Sequence, residues 1–394
     1  MPPTFEIDAR DGAARAGVLH LPHGDVHTPA FVPLASTGTV KALHASEVAA
    51  LGFEMVLGNT FHLFMQPGPE HVREMGGLHE FMGWRRPIIT DSGGYQVFSM
   101  GHGSVAEEVK RRRDPRESMV LSIDEEGVRF RSYLDGSVRF MGPETSMQVQ
   151  AALDSDVALA FDECTPYHVD REYTRRSLER THRWLDRCIA WHDEHGPEGQ
   201  LLFGIVQGGV YEDLRAESVQ RVAEATLDGA AVGGSLGRDK EEMRGVVEWS
   251  LRGLADERPR HLLGIGDVDD VLHAVGAGID LFDCATPTRL GRHGTALVPD
   301  PAQRWRLDLT RSASRGSRAP IVPGCPCPAC REHTRGYLHY LARAHEPTAM
   351  RLLTLHNLTF MAELMRRIRE AIAGGGFAEL AERVRNGQEP YGGP

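Results

Sequence analysis

Three carboxylates and one carboxamide stand where short apolar runs give out. Asp91 follows Pro87-Ile88-Ile89-Thr90, Asp162 follows Val157 to Phe161, Gln207 follows Leu201 to Val206, and Asp283 follows Gly278 to Phe282. A short apolar run that stops at a polar side chain reads as a strand buried on both faces. Repeated on several strands, the pattern is how a (β/α) barrel gathers catalytic groups at the C-terminal ends of its strands. One acid so placed is more often a helix cap or an ion-pair partner. Four polar endings between positions 91 and 283 point instead to one site built by the whole fold.

Two kinds of chemistry suit such a set. Paired acids can act on a glycosidic bond as nucleophile and general acid/base. They can also accept hydrogen bonds from a nucleobase. A guanine edge offers N–H donors at N1 and N2 beside an acceptor at O6. Two carboxylates, the Gln207 amide and a Gly-Gly backbone N–H complement that edge. Downstream of Asp283, Arg289 and Arg292 are spaced to hold phosphates or flanking bases of a single-stranded RNA, or else to form surface ion pairs.

The elements that must position these residues follow the same logic. Glu54 to Asn59, Gly229 to Gly234 and His261 to Gly266 read as further strands running into polar or glycine-rich turns. Charge-rich amphipathic stretches at 171–195, 211–227 and 239–256 lie between and are long enough for helices. Strand–helix alternation favours right-handed βαβ units in a parallel sheet. An open doubly wound sheet usually places its ligand at one switch point, so a closed α/β barrel is expected. From about 299 to 330 the texture changes to proline, arginine and serine, and a helix is expected from Pro347 to about Ala373.

Composition sets the bounds. The 394 residues are 41% hydrophobic and 25% charged, as in ordinary globular proteins. The net charge of −11 argues against a protein wrapped in nucleic acid, though not against a local basic face. Basic clusters occur at Lys110 to Arg113, Arg304 to Arg318 and Arg366 to Arg369; most such clusters are solvated faces. No apolar run is long enough for a membrane span, the first residues carry no secretory signal, and six cysteines are too few for a disulfide scaffold. A reducing, cytoplasmic setting is expected.

Cys325, Cys327 and Cys330 form a C-x-C-x2-C cluster. Three thiolates so close suit a tetrahedral structural zinc ion better than disulfides. His333, His339, His345 and His356 all follow, and spacing alone leaves the fourth ligand open.

Taken together, Thr90-Asp91-Ser92-Gly93-Gly94-Tyr95-Gln96-Val97-Phe98-Ser99, Phe161-Asp162-Glu163-Cys164-Thr165-Pro166-Tyr167, Gly204-Ile205-Val206-Gln207-Gly208-Gly209, Asp280 to Cys284 with Pro287-Thr288-Arg289, and the cysteine cluster with a distant histidine resemble the tRNA-guanine transglycosylases of bacterial type. The likeness runs from about Thr28 to Phe360. It implies a (β/α)8 TIM barrel, residues 1–300, with a zinc-binding subdomain and closing helix, 301–394, acting as a homodimer with one structural zinc per subunit. It also implies exchange of the wobble guanine of queuosine-family tRNAs (those for aspartate, asparagine, histidine and tyrosine) for a 7-deazaguanine. By that resemblance Asp283 attacks ribose C1′ and Asp91 is the general acid/base that also holds the base. Asp162 reads the guanine edge, Gln207 and the Gly234 N–H reach O6, and Tyr95 and Leu263 flank the ring. Arg289 and Arg292 grip neighbouring uridines, and Cys325, Cys327, Cys330 and His356 hold zinc.

The chain departs from the bacterial pattern twice. The family usually has Gly-Gly-Leu-Ala-Val-Gly-Glu where this chain has Gly233-Gly234-Ser235-Leu236-Gly237-Arg238-Asp239, so both 7-aminomethyl-7-deazaguanine, favoured by Cys164, and queuine stay open. The segment from Gly101 to Leu121 is long and carries Lys110 to Arg113, suggesting an added RNA contact. A zinc hydrolase on the same barrel should show an early His-x-His, which is absent, and a non-catalytic RNA-binding partner could dispense with Asp91 and Asp283, which are present.

Overall fold

The computed structural model describes residues 4–102 and 119–391. The Lys110 to Arg113 cluster and most of the Gly101 to Leu121 segment therefore lie outside the described residues. Eight short parallel strands form one sheet: β1 Ala30–Val32, β2 Val56–Gly58, β3 Ile88–Thr90, β4 Val157–Leu159, β5 Leu201–Val206, β6 Gly229–Val232, β7 Arg260–Leu262 and β8 Leu281–Asp283. Their order is β1-β8-β7-β6-β5-β4-β3-β2. The two ends meet, because Leu34 bridges Leu57 in parallel and Ala35 N–H donates to the Leu57 carbonyl at 2.7 Å. The sheet is thus the closed (β/α)8 barrel expected. β1 has no counterpart in the sequence reading, since three residues between Pro29 and Pro33 are too short to show a period.

Helices cover the outside of the barrel. They include α1 Thr60–Met65, α2 Gly94–His102, α3 Pro143–Leu153, α4 Arg171–His195, α5 Glu212–Glu224, α6 Lys240–Leu251, α7 Val268–Ala277, α8 Thr286–Arg292 and α9 Pro347–Ala373. Their starts follow local chemistry. Asp170 accepts from Tyr173 N at 2.7 Å to open α4, Asp239 accepts from Glu241 N and Glu242 N to open α6, and proline occupies the first turn of α3 and α9.

Side-chain alternation divides the apolar residues into two shells. Val32, Leu57, Ile89, Val157, Leu159, Leu201, Phe203, Ile205, Ala231 and Leu281 fill the barrel. Their neighbours Phe31, Val56, Ile88, Ala158, Leu202, Val206, Ala230, Val232, Leu262 and Phe282 pack outward against helices. A three-stranded antiparallel sheet (Phe5–Asp11, Ala14–Leu21, Gly24–Thr28) supplies Phe5, Leu19, Leu21 and Val26 to the interior cluster and packs at the N-terminal end of the strands. Arg15 fastens this sheet by a two-pronged pair with Asp280, at 2.8 and 2.6 Å, with both side chains fully buried. After β8 the chain forms α8, a two-stranded sheet (Thr295–Leu297 with Arg306–Asp308) and the cysteine loop, and returns through α9, which packs along α8 and the N-terminal strands. No described helix is long and apolar enough to cross a membrane.

Removing one partner of a buried ion pair strands the other charge. Arg15→Met should therefore lower unfolding free energy by about 3–5 kcal/mol in chemical denaturation, whereas an effect below about 1 kcal/mol, typical of surface pairs, would contradict the fastening role.

Candidate active site and metal centre

Strand parity aims most of the site. Ile89, Ile205 and Leu281 point into the barrel, so Asp91, Gln207 and Asp283, each two residues on, point into its mouth. Asp162 breaks the count. β4 ends at Leu159, and Phe161 turns outward to pack 5.0 Å from the Trp184 ring, which leaves Asp162 facing inward.

The groups are joined by contacts. Asp91 accepts from Thr60 N–H at 2.8 Å, Asn59 Nδ2 at 2.5 Å and Gln96 Nε2 at 3.2 Å. Asn59 is the N-cap of α1, and its Oδ1 accepts from His62 N, so the amide can only turn its NH2 toward Asp91. Burial nonetheless pushes Asp91 up to about 7; Thr60 pulls it down and the Asp283 charge adds to the rise. Asp162 accepts from Ser92 Oγ at 2.8 Å and Gln207 Nε2 at 2.5 Å, and burial pushes it up to about 6. Asp283 takes Gly264 N–H at 3.2 Å on Oδ1 and has His261 Nε2 at 2.9 Å from the same oxygen.

Two glycines let backbone stand where side chains would otherwise be. A Cβ on Gly94 would lie 2.5 Å from the Asp162 carbonyl and 2.9 Å from its Oδ1. A Cβ on Gly234 would lie 2.1 Å from Gln207 Oε1, and the residue has φ +78°, which favours glycine. Leu263 borders Gly233 and the interior cluster, while Tyr95, in the first turn of α2, is half exposed above the Asp91 loop. Cys164 has Asp162, Arg215 and Gly234 as neighbours, and burial pushes its thiol up, so it stays neutral. Arg215 is fully buried and donates to the carbonyls of Gly209, Val206 and Ser235, tying both glycine turns together. Arg289 and Arg292 lie three residues apart on α8, directly after Asp283.

Asn59, Thr60, Ser92, His261, Gly264 and Arg215 were not assigned a role from sequence. Only Asn59 had a usable signal: it is a capping residue type at a strand end followed by a helix.

The cysteine cluster converges on one point. His356 Nδ1 lies 3.6, 3.3 and 3.4 Å from the Sγ atoms of Cys325, Cys327 and Cys330. Those separations match the edges of a tetrahedron with bonds of about 2.3 Å to sulfur and about 2.0–2.1 Å to nitrogen. His356 Nε2–H donates to the Leu297 carbonyl at 2.8 Å, which turns the Nδ1 lone pair toward the thiolates. These four residues could hold a structural metal ion. His339 instead has its Nδ1 2.7 Å from the Leu309 carbonyl.

Two outcomes follow from this geometry. Carboxyl NMR should place the Asp91 midpoint near pH 7, and Asp283→Asn should move it down, because that substitution removes a neighbouring negative charge; an unmoved midpoint would mean that the two acids do not share the mouth. Purified protein should carry about one metal ion per chain, lost in Cys327→Ser together with several degrees of thermal stability, and full retention of metal would exclude the four-ligand site.

A family model described as "Queuine tRNA-ribosyltransferase" matches residues 10–390. The chain is 46% identical over 389 residues to a queuine tRNA-ribosyltransferase of Roseiflexus sp. (strain RS-1), covering 95% of this chain and 97% of that one. It is 46% identical over 378 residues to the same-named protein of Synechococcus sp. (strain CC9311), with 95% of each chain covered. Against that of Pelotomaculum thermopropionicum it is 44% identical over 375 residues, covering 94% of this chain and 95% of the relative. Likeness of this extent, over a barrel whose mouth gathers the acids described above, shows that the chain belongs to the queuine tRNA-ribosyltransferase family.

Proposed function

We propose that this chain is a tRNA-guanine transglycosylase, a pentosyltransferase that exchanges the wobble guanine of queuosine-family tRNAs for a 7-deazaguanine through a covalent Asp283–ribose intermediate. The observation that carries the reading is the gathering of Asp91, Asp162, Gln207 and Asp283 at one end of the barrel, with Asp91 held by Thr60 N–H and Gln96, Asp162 by Ser92 and Gln207, and Asp283 by Gly264 N–H. An acid poised near 7 can give a proton to a departing purine and take one from its replacement.

The residues then divide the work. Asp283 attacks C1′ as the bond to N9 breaks, and Asp91 protonates the leaving guanine. The incoming base loses its N9 proton to Asp91 and displaces the ester. Two inversions retain the β-configuration, and the ester keeps the energy of the glycosidic bond for exchange. Asp162 accepts from the N1 and N2 hydrogens of guanine; the second hydrogen of the Gln207 amide and the Gly234 N–H serve O6. Tyr95 and Leu263 enclose the ring, and Arg289 and Arg292 hold flanking nucleotides. The target base must leave its stack, which costs less in a loop than in a duplex. Zinc is the ion assigned to the Cys325, Cys327, Cys330 and His356 site, one per subunit, and it is structural because four protein ligands leave no place for water. The same proposal takes in a catalytic barrel (1–300), a zinc-bearing subdomain (301–394), a homodimer and a cytoplasmic setting. The neutral thiol of Cys164 suits a small 7-substituent such as aminomethyl, while the altered Gly233 to Asp239 loop keeps queuine in contention; competing the two bases in a guanine-washout assay decides between them.

An anticodon stem-loop incubated with the enzyme should give a denaturant-stable adduct that disappears in Asp283→Asn; an adduct persisting in that variant would reassign the nucleophile. Single-turnover guanine release should fall about tenfold per pH unit above the Asp91 midpoint near 7, because the protonated acid is then in short supply. A rate independent of pH between about 6 and 9 would remove Asp91 from that role.

A further inference from the structure

His261 is the middle residue of β7, and its side chain is fully buried inside the barrel. In register it faces Ala231 on β6 and Leu281 on β8, one interior level below Asp283. Its Nε2 stands 2.9 Å from Asp283 Oδ1, yet the approach is too oblique for a hydrogen bond and neither ring nitrogen has a partner. A buried polar group left unmatched is costly. Catalytic hydrogen bonds that are misaligned without substrate commonly tighten when it binds. Gly264 N–H reaches the same Oδ1, so both contacts made to this carboxylate among the described residues fall on one oxygen.

We infer that His261 is a positioning residue for the transfer reaction. It donates Nε2–H to Oδ1 of Asp283 and, with Gly264 N–H, leaves Oδ2 as the oxygen that bonds to C1′. The inference rests on the reading of Asp283 as nucleophile. In the first displacement an Oδ2 electron pair forms the C1′–O bond while the C1′–N9 pair departs with guanine. In the second, N9 of the incoming base forms the bond to C1′ and the C–O pair returns to the carboxylate. Oδ1 is the ester carbonyl between these steps. Two fixed donors aimed at it hold the attacking oxygen in line and stabilise the carboxylate as it re-forms.

Single-turnover adduct formation and stem-loop affinity, measured on the full-length enzyme, test this. His261→Met and His261→Leu should slow adduct formation roughly 10²-fold while leaving stem-loop affinity unchanged. His261→Gln, which keeps a donor of similar reach, should recover most of the rate. Equal rates in the Met variant and the parent, or parallel losses of rate and affinity without recovery in Gln, overturn the proposal. If neither apolar variant folds, His261→Asn, whose amide falls short of Oδ1, takes their place beside Gln, and equal rates in those two overturn it as well. Adduct formation by Asp283→Asn would sink the nucleophile assignment itself, whereas its loss there with a normal rate in the Met variant would sink only the role given to His261.

Discussion

Crowding of acids at one end of the barrel is the constraint on which this structure turns. Asp91 and Asp283 interact electrostatically, and burial penalises charge on Asp91. Burial and the neighbouring Asp283 charge both disfavour the ionised form of Asp91. Thr60 N–H and the Gln96 amide favour the charged form of Asp91, while burial and Asp283 favour the neutral one, and the balance falls near neutrality. Asp162 reaches its own balance at about 6 with Ser92 and Gln207 as donors. Much of the remaining architecture keeps these donors in place: a helix cap aims Asn59, and a buried arginine ties the two glycine turns.

Much of this was legible from residue order, and the exceptions have identifiable causes. Seven of the eight barrel strands appear as apolar runs because a strand covered on both sides needs no polar alternation. β1 escaped notice because three residues between prolines carry no pattern. Inward placement of Asp91, Gln207 and Asp283 follows from counting by twos along the strand, but Asp162 does not, since Phe161 leaves the strand to join Trp184. The donors around the acids were hidden for a different reason. Thr60 and Gly264 act through backbone N–H groups, which residue identity does not reveal, and Ser92 and Gln96 owe their roles to where the turn after β3 and the helix α2 bring them; Asn59 alone showed a capping signal.

The metal centre shows the same division. Spacing marked the three cysteines, yet four histidines remained eligible, and resemblance rather than spacing singled out His356. In the fold that residue earns its place from the far side of its ring: the Leu297 carbonyl fixes which nitrogen faces the sulfurs. Its neighbour Asn357 accepts from Leu297 N–H at 2.7 Å and donates to the carbonyls of Pro287 and Thr295. Consecutive residues of α9 thus hold the cysteine loop on one side and the helix bearing Arg289 and Arg292 on the other. The cysteine–histidine cluster therefore bears on the stance of the helix that follows Asp283.

The bare backbone at Gly94 and Gly234 limits how base preference can change. Any side chain at either position would collide with Asp162 or Gln207, the two groups to which the proposed function gives the purine edge. Evolution, or a protein engineer, therefore has no freedom at these points to trade one ring system for another. Discrimination among bases sharing that edge must be tuned farther out, through Ser235 to Arg238 and Cys164, where a change of side chain alters what hangs from the ring without disturbing how the ring is held.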